Sequence, residues 1–196
     1  MRQVNMSDSK ALAMPDLKTE RLHIRCLRIE DAPALLEILS DPETVRYWGR
    51  PAMSQLEEAE AYTQENLDWM TQGHCLYWGL EEAGSGKMIG TCALLRMDLS
   101  NRRAEVGYLL HRSFWRRGIM TEALQRVIQY AFEELKLHRL EADTDPDNLS
   151  SIQLLERFGF QREGLFKDRW YVDGKWSDSL MLGLISQLDS ENAGAS

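Results

Sequence analysis

The run Trp115-Arg116-Arg117-Gly118-Ile119-Met120-Thr121-Glu122 is the part of this chain best suited to chemistry. It follows a strand-like stretch, 103–110, and opens into an amphipathic helix. The first N–H groups of a helix have no intrahelical acceptor. The aligned peptide dipoles add positive charge there, so such a terminus favours an anion. Gly118 lets the backbone come close to a ligand, and Arg116 and Arg117 add cationic donors. Together these residues read as a grip for a pyrophosphate. Taken alone the loop is a weak signal, because Arg-Arg-Gly turns are commonly solvated surface. Its neighbours give it meaning.

The elements around the loop follow from pattern. Residues 22–27 alternate as a first strand. A helix starts at Glu30-Asp31-Ala32-Pro33 with proline in its first turn, and Asp41-Pro42 stops it. Ser54 is the expected cap of a helix over 55–71, with Glu57 and Glu58 early. Strands are expected at 76–82, 87–97 and 103–110. The helix after Gly118 carries Ala123, Leu124, Val127, Ile128, Ala131, Phe132 and Leu135 on one wide face. A strand at 139–144 follows, then a short helix capped by Asn148 and ended by Gly159. Strands at about 160–171 and 175–186 flank the turn Val172-Asp173-Gly174-Lys175. This order implies an α/β (α+β) fold with a mixed, mostly antiparallel sheet and helices on both faces. The unit 103–144 reads as a right-handed crossover, so its two strands should be parallel.

The totals narrow the function. A chain of 196 residues fits one domain with a substantial core, here expected over 18–188 with flexible tails at 1–17 and 189–196. Its formal charge of −8 disfavours a nucleic-acid partner, which needs a basic surface. No apolar run approaches the roughly 20 residues of a membrane span, and no secretory h-region opens the chain. Cys26, Cys75 and Cys92 are widely spaced, which points to reduced thiols, a cytoplasmic setting and no cysteine metal site. His23, His74, His111 and His138 lack metal-ligand spacing, so no metal is expected.

The segments Thr19-Glu20-Arg21-Leu22, Ala104-Glu105-Val106-Gly107-Tyr108, Gly118 with Thr121-Glu122-Ala123-Leu124, Asn148-x-x-Ser151 and Phe158-Gly159-Phe160 occur in one order and spacing. With these segments the chain resembles the GNAT superfamily of acyl-CoA-dependent N-acetyltransferases, in particular the branch of ribosomal-protein N-terminal acetyltransferases. The resemblance runs from Thr19 to about residue 186. It implies a central pair of parallel strands that splay apart around the pantetheine arm of acetyl-CoA. Backbone groups of Tyr108, Leu109 and Leu110 would meet that arm, and Arg116, Arg117, Gly118, Ile119, Met120 and Thr121 would hold the pyrophosphate. The family's loop has Arg or Gln where this chain has Trp115, and Gly or Ala where it has Met120.

The resemblance also assigns candidate roles. Asn148 is either a helix N-cap, worth roughly 1 kcal/mol, or a hydrogen-bond partner of the pantetheine. Many relatives carry a proton-donating Tyr where this chain has Leu155. Ser151, one turn earlier on the same face, is the substitute expected to reach the departing sulfur. Glu105 is either the base for the amine, directly or as a relay through water, or a carboxylate paired with Arg103 or another cation. Some relatives place a catalytic Glu where this chain has Trp170, beside Asp168 and Arg169. Trp48, Trp170 and Tyr171 rank first as acceptor-pocket residues among the aromatics Tyr47, Trp69, Tyr77 and Trp78. The expected reaction is direct attack of an amine on the thioester within a ternary complex. The acceptor is a protein N-terminal α-amine. The alternatives are a small amine (a polyamine, amino-acid derivative or antibiotic) or a non-catalytic acyl-CoA-binding module. No nucleic-acid or membrane partner is implied, and a homodimer is an arrangement the resemblance allows.

Overall fold

The computed structural model describes residues 14–172 and 174–188; the rest of the expected tails, and Asp173 of the expected turn, lie outside the described residues. Eight strands form one sheet in the order β1-β2-β3-β4-β5-β6-β8-β7. They are β1 (Leu17–Lys18), β2 (Leu22–Cys26), β3 (Leu76–Glu82), β4 (Met88–Asp98), β5 (Arg103–Leu110), β6 (Arg139–Thr144), β7 (Gln161–Val172) and β8 (Lys175–Ile185). The helices are α1 (Ala32–Leu39), α2 (Pro42–Val45), α3 (Leu56–Thr71), α4 (Ile119–Gln129) and α5 (Leu149–Arg157). All strand pairs are antiparallel except β5 with β6. No helix among the described residues is long and apolar enough to cross a membrane.

Each face of the sheet buries its own core. Trp78, Leu94, Val106, Leu140 and Leu182 pack with Ala123, Leu124 and Val127 of α4 and Leu155 of α5. On the other face Tyr77, Ala93 and Leu109 meet Leu35, Ile38 and Leu39 of α1, with Tyr62 and Met70 of α3 packed against them. The alternation of residues along β4 and β5 therefore sets which residues face each helix layer.

Local differences from the sequence reading have local causes. Met14 packs against the core, Leu17 is buried and the Pro15 carbonyl accepts the Trp78 indole N–H at 3.1 Å, so residues 14–17 belong to the body rather than to a tail. Asp41-Pro42 does stop α1, but it also starts α2, because the Asp41 carboxylate accepts the Glu43 N–H and caps a new turn. The cap of α3 is Gln55 rather than Ser54; Glu58 reaches back to the N–H groups of both, at 2.7 and 3.0 Å. The last expected turns of α4 are a π-helix over Tyr130–Glu134.

The parallel pair is short. β5 and β6 pair only over 103–105 and 139–141. Beyond that point β5 keeps β4 as its neighbour and β6 keeps β8, so the two strands part. The phase of the β4–β5 ladder decides which peptide groups face the opening. The His111 N–H donates to the Ile89 carbonyl at 2.8 Å, which makes Leu110 and Gly90 a non-hydrogen-bonded pair. The register is unbroken back to Glu105, so Tyr108 and Val106 share that phase and turn their N–H and C=O groups toward the opening. The peptide groups of Leu109 face β4 instead.

Gly90 makes this close packing of β4 on β5 workable. A Cβ there would lie 2.5 Å from the Leu109 carbonyl oxygen. Gly90→Ala is expected to lower stability by about 1–3 kcal/mol through forced backbone shifts. A urea midpoint equal to that of the wild type would contradict this.

Candidate active site

The loop before α4, expected to grip the pyrophosphate, takes left-handed backbone at two positions. Arg116 (φ 58°) and Gly118 (φ 73°) are both left-handed, and Gly118 caps the helix. Ile119 and Met120 are buried, so the bulk of Met120 lies in the core and not over the amides of the first turn. Arg21 clamps the loop from β2's side. Its guanidinium donates to the Arg117 carbonyl at 2.8 Å and pairs with Glu122 at 2.6 Å, and its N–H donates to the same carboxylate at 2.9 Å. This explains why an Arg at 21 accompanies a Glu in the first turn of α4. The guanidinium of Arg117 stacks over Phe114 at 5.1 Å. Trp115 donates its indole N–H to the Leu110 carbonyl at 2.8 Å, which removes that carbonyl from the groups available to a ligand.

An open cleft of roughly 980 Å³ runs along the parted strands. Ser151 lines it from the first turn of α5. Asn148 is the N-cap of that helix, its Oδ1 accepting the Ser151 N–H at 3.2 Å. Leu155 is buried in the core one turn on. The Ser151 hydroxyl meets the Tyr108 hydroxyl at 2.7 Å. Burial pushes the Tyr108 phenol up to about 12, so it is fully protonated at neutral pH. Tyr108 was expected to act through its backbone alone. Its side chain could be placed only once α5 was positioned against β5.

Glu105 lines the same cleft from the opposite face of the sheet. It is paired with a cation, Arg96, at 2.5 Å, while Arg103 pairs with Glu141 at 2.9 Å. Arg96 reaches it because the β4–β5 register breaks between Leu95 and Asp98, where Arg96 takes φ 48°. Burial raises the Glu105 pKa above the ordinary carboxylate value of 4.5. The Arg96 charge opposes this, and the charges of Asp143 and Glu141 add to it.

Tyr47, Trp48, Trp69, Tyr77 and Trp170 line the far wall. Trp48 meets Tyr62 edge-on with ring centres 5.2 Å apart, and the Tyr62 and Tyr77 hydroxyls lie 2.6 Å apart. Trp78 is fully buried in the core instead. Tyr171 does not line the cleft. It is exposed and lies against Trp176 at 4.8 Å, because neighbouring residues of a strand face opposite ways. Asp143, Arg96 and the Tyr108 hydroxyl are site groups that the sequence did not single out, and Arg21 stood in a quoted segment without a role. No group of three or more His, Cys, Asp or Glu fit to hold a metal occurs among the described residues.

Comparison with known proteins bears on the same region. The acetyltransferase (GNAT) domain family matches residues 21–161. The uncharacterized N-acetyltransferase p20 of Bacillus licheniformis is 36% identical over 174 residues, 89% of this chain and 98% of that protein. The [ribosomal protein uS5]-alanine N-acetyltransferase of Escherichia coli (strain K12) is 29% identical over 178 residues, 87% of this chain and 90% of its own. The solved structure of RimL, a ribosomal L7/L12 alpha-N-protein acetyltransferase, superposes with a TM-score of 0.78 at 23% identity, covering 88% of this chain and 93% of that one; at that identity it speaks for the fold. With the parted strands, the loop that opens α4 and this likeness in hand, the chain belongs to the GNAT family of acetyl-CoA-dependent N-acetyltransferases.

Proposed function

We propose that this enzyme acetylates the α-amine of a protein N-terminus, of the ribosomal-protein kind. The observation that carries the proposal is the cleft that brings Glu105, the Ser151–Tyr108 pair and the inward peptide groups of Val106 and Tyr108 to one opening. The E. coli relative's alanine substrate supports an α-amine acceptor. So does chemistry: an α-amine with pKa ~8 is deprotonated more readily than a lysine at ~10.4. A buried carboxylate suffices as its base.

Acetyl-CoA supplies the acetyl group as a thioester. The amides of 118–121, with Arg116 and Arg117, hold the pyrophosphate. Val106 and Tyr108 offer peptide groups to the pantetheine arm as an added half-strand. Leu109 is withdrawn from that role by its pairing with β4, and Leu110 keeps only its N–H for it. One of these inward N–H groups would stabilise the oxyanion. Glu105 takes the proton from the attacking nitrogen, directly or through water. As the carbon–sulfur bond breaks, Ser151 donates a hydrogen bond to the sulfur, Tyr108 fixes its hydroxyl, and water supplies the proton that turns the leaving thiolate into the CoA thiol. Reduced, unpaired Cys26, Cys75 and Cys92 suit a cytoplasmic setting.

Ser151→Ala is expected to lower the single-turnover rate about 10- to 100-fold, the worth of one hydrogen bond to a developing charge. An unchanged rate would remove Ser151 from the mechanism. The acceptor is tested with three probes: a peptide starting with Ala, the same peptide N-terminally blocked but carrying Lys, and spermidine. The expected result is a kcat/KM for the free α-amine at least about tenfold above the others, as the pKa difference allows. A preference for spermidine would establish the small-amine reading instead.

A further inference from the structure

Asp143 stands on β6 two residues beyond its last pairing with β5, on the face shared with Glu141, and it lines the cleft. Its side chain is only 9% exposed. Its two oxygens differ sharply. Oδ1 accepts from the hydroxyl of fully buried Ser179. Oδ2 has no hydrogen-bond partner among the described residues. Arg169 Nε lies 3.6 Å from it, an ion-pair distance too long for a hydrogen bond. The guanidinium of Arg169 is drawn instead over the rings of Phe166 and Trp170, at 4.8 and 5.6 Å.

Buried carboxylate oxygens nearly always have a donor, and leaving one without costs free energy. The donor that the cleft's chemistry calls for is an ammonium. An aliphatic amine with pKa ~8 arrives mostly protonated at neutral pH. It then needs one carboxylate to bind it as a cation and another to take its proton. Glu105 is already neutralised in part by Arg96. Asp143 has no such hydrogen-bonded cation.

Resting on the acceptor assignment above, we infer that Asp143 Oδ2 binds the ammonium group that is to be acetylated, before that nitrogen yields its proton to Glu105. The arriving ammonium takes the place of the loosely held Arg169 guanidinium, which shifts away from Asp143 across its aromatic rings. The site thereby selects aliphatic amines that carry charge at neutral pH over arylamines that do not.

The test is calorimetric binding of an Ala-starting peptide to enzyme saturated with CoA, whose free thiol permits no turnover. Asp143→Asn keeps the size of the side chain and a contact to Ser179. It is expected to raise the peptide Kd at least about tenfold, the worth of a charge-assisted hydrogen bond, while the CoA Kd stays the same. In turnover the peptide KM should rise by a like factor, with a smaller change in kcat. A peptide of the same sequence lacking its α-amino group should bind both proteins equally. Ser179→Ala, which frees Oδ1, should raise the KM by less. Wild-type peptide affinity in Asp143→Asn would overturn the inference. So would a loss confined to kcat, or a parallel loss of CoA affinity, which marks a disturbed strand pair. If the wild type acetylates spermidine and not the peptide, the α-amine reading fails by itself. The same comparison with spermidine then decides the role of Asp143.

Discussion

Replacing Glu105 by Gln should lower kcat by about 10²- to 10⁴-fold, the range a positioned general base supplies, and leave acetyl-CoA binding intact. The side chain keeps its size and its neighbour Arg96, so packing changes little. What is lost is a basic oxygen in a setting that makes it more basic than usual. Burial disfavours the carboxylate charge, and the Asp143 and Glu141 charges add to the effect. The sign for activity follows. Glu105 acts in its ionised form, so activity rises with pH through its pKa, which lies above the ordinary value of 4.5. The acidic limb of kcat/KM should therefore sit above that value in the wild type. In Glu105→Gln that limb should vanish along with most of the rate. A variant with wild-type kcat, or with its acidic limb in place, would leave water or another group as the base.

Gly118→Trp should abolish measurable acetyl-CoA binding. At φ 73° a residue with a Cβ is strained by about 1–2 kcal/mol. The Cβ itself has room, since only Arg21 Nη2 comes near, at 3.5 Å. The harm comes from the indole beyond it, which would cover the amides that open α4. The loop is exposed and its folded neighbours lie beneath it, so circular dichroism should match the wild type. Calorimetry measures the loss. Unchanged affinity would place the pyrophosphate elsewhere.

Much of this was legible before any coordinates. The apolar face after Gly118 repeats at helical spacing; Ala123, Leu124, Val127 and Ala131 are buried, and Ile128, Phe132 and Leu135 pack partly buried against the same core. The crossover from β5 through α4 to β6 forced a parallel pair, and the pair formed. What stayed hidden depended on long-range contacts. Arg21 and Glu122 are 101 residues apart, and no spacing rule joins them. The Tyr108 hydroxyl finds Ser151 across 43 residues, through the packing of a helix on a strand. Trp170 and Tyr171 were equal candidates in the sequence. Only the phase of β7, with its irregular pairing between Phe166 and Trp170, sends one to the cleft and the other to solvent. Asp143 looked like any strand residue until its position at the parting of β5 and β6 was known.

The β7–β8 hairpin carries a further consequence. It sits at the margin of the sheet, with β7 bonded on one side only, and it contributes Trp170, Lys175, Ser177 and Asp178 to the cleft. The cradle before α4 and the inward peptide groups of β5 belong to the middle of the sheet and share no strand with it. One wall of the acceptor side therefore rests on a support separate from the acyl donor's seat, while Glu105 and Asp143 stand on β5 and β6 themselves. On the proposed reading, change along 165–178 would alter which amine is welcomed while the acyl donor's seat is left as it was. A fold divided in this way lets descendants exchange one customer for another without rebuilding the machine.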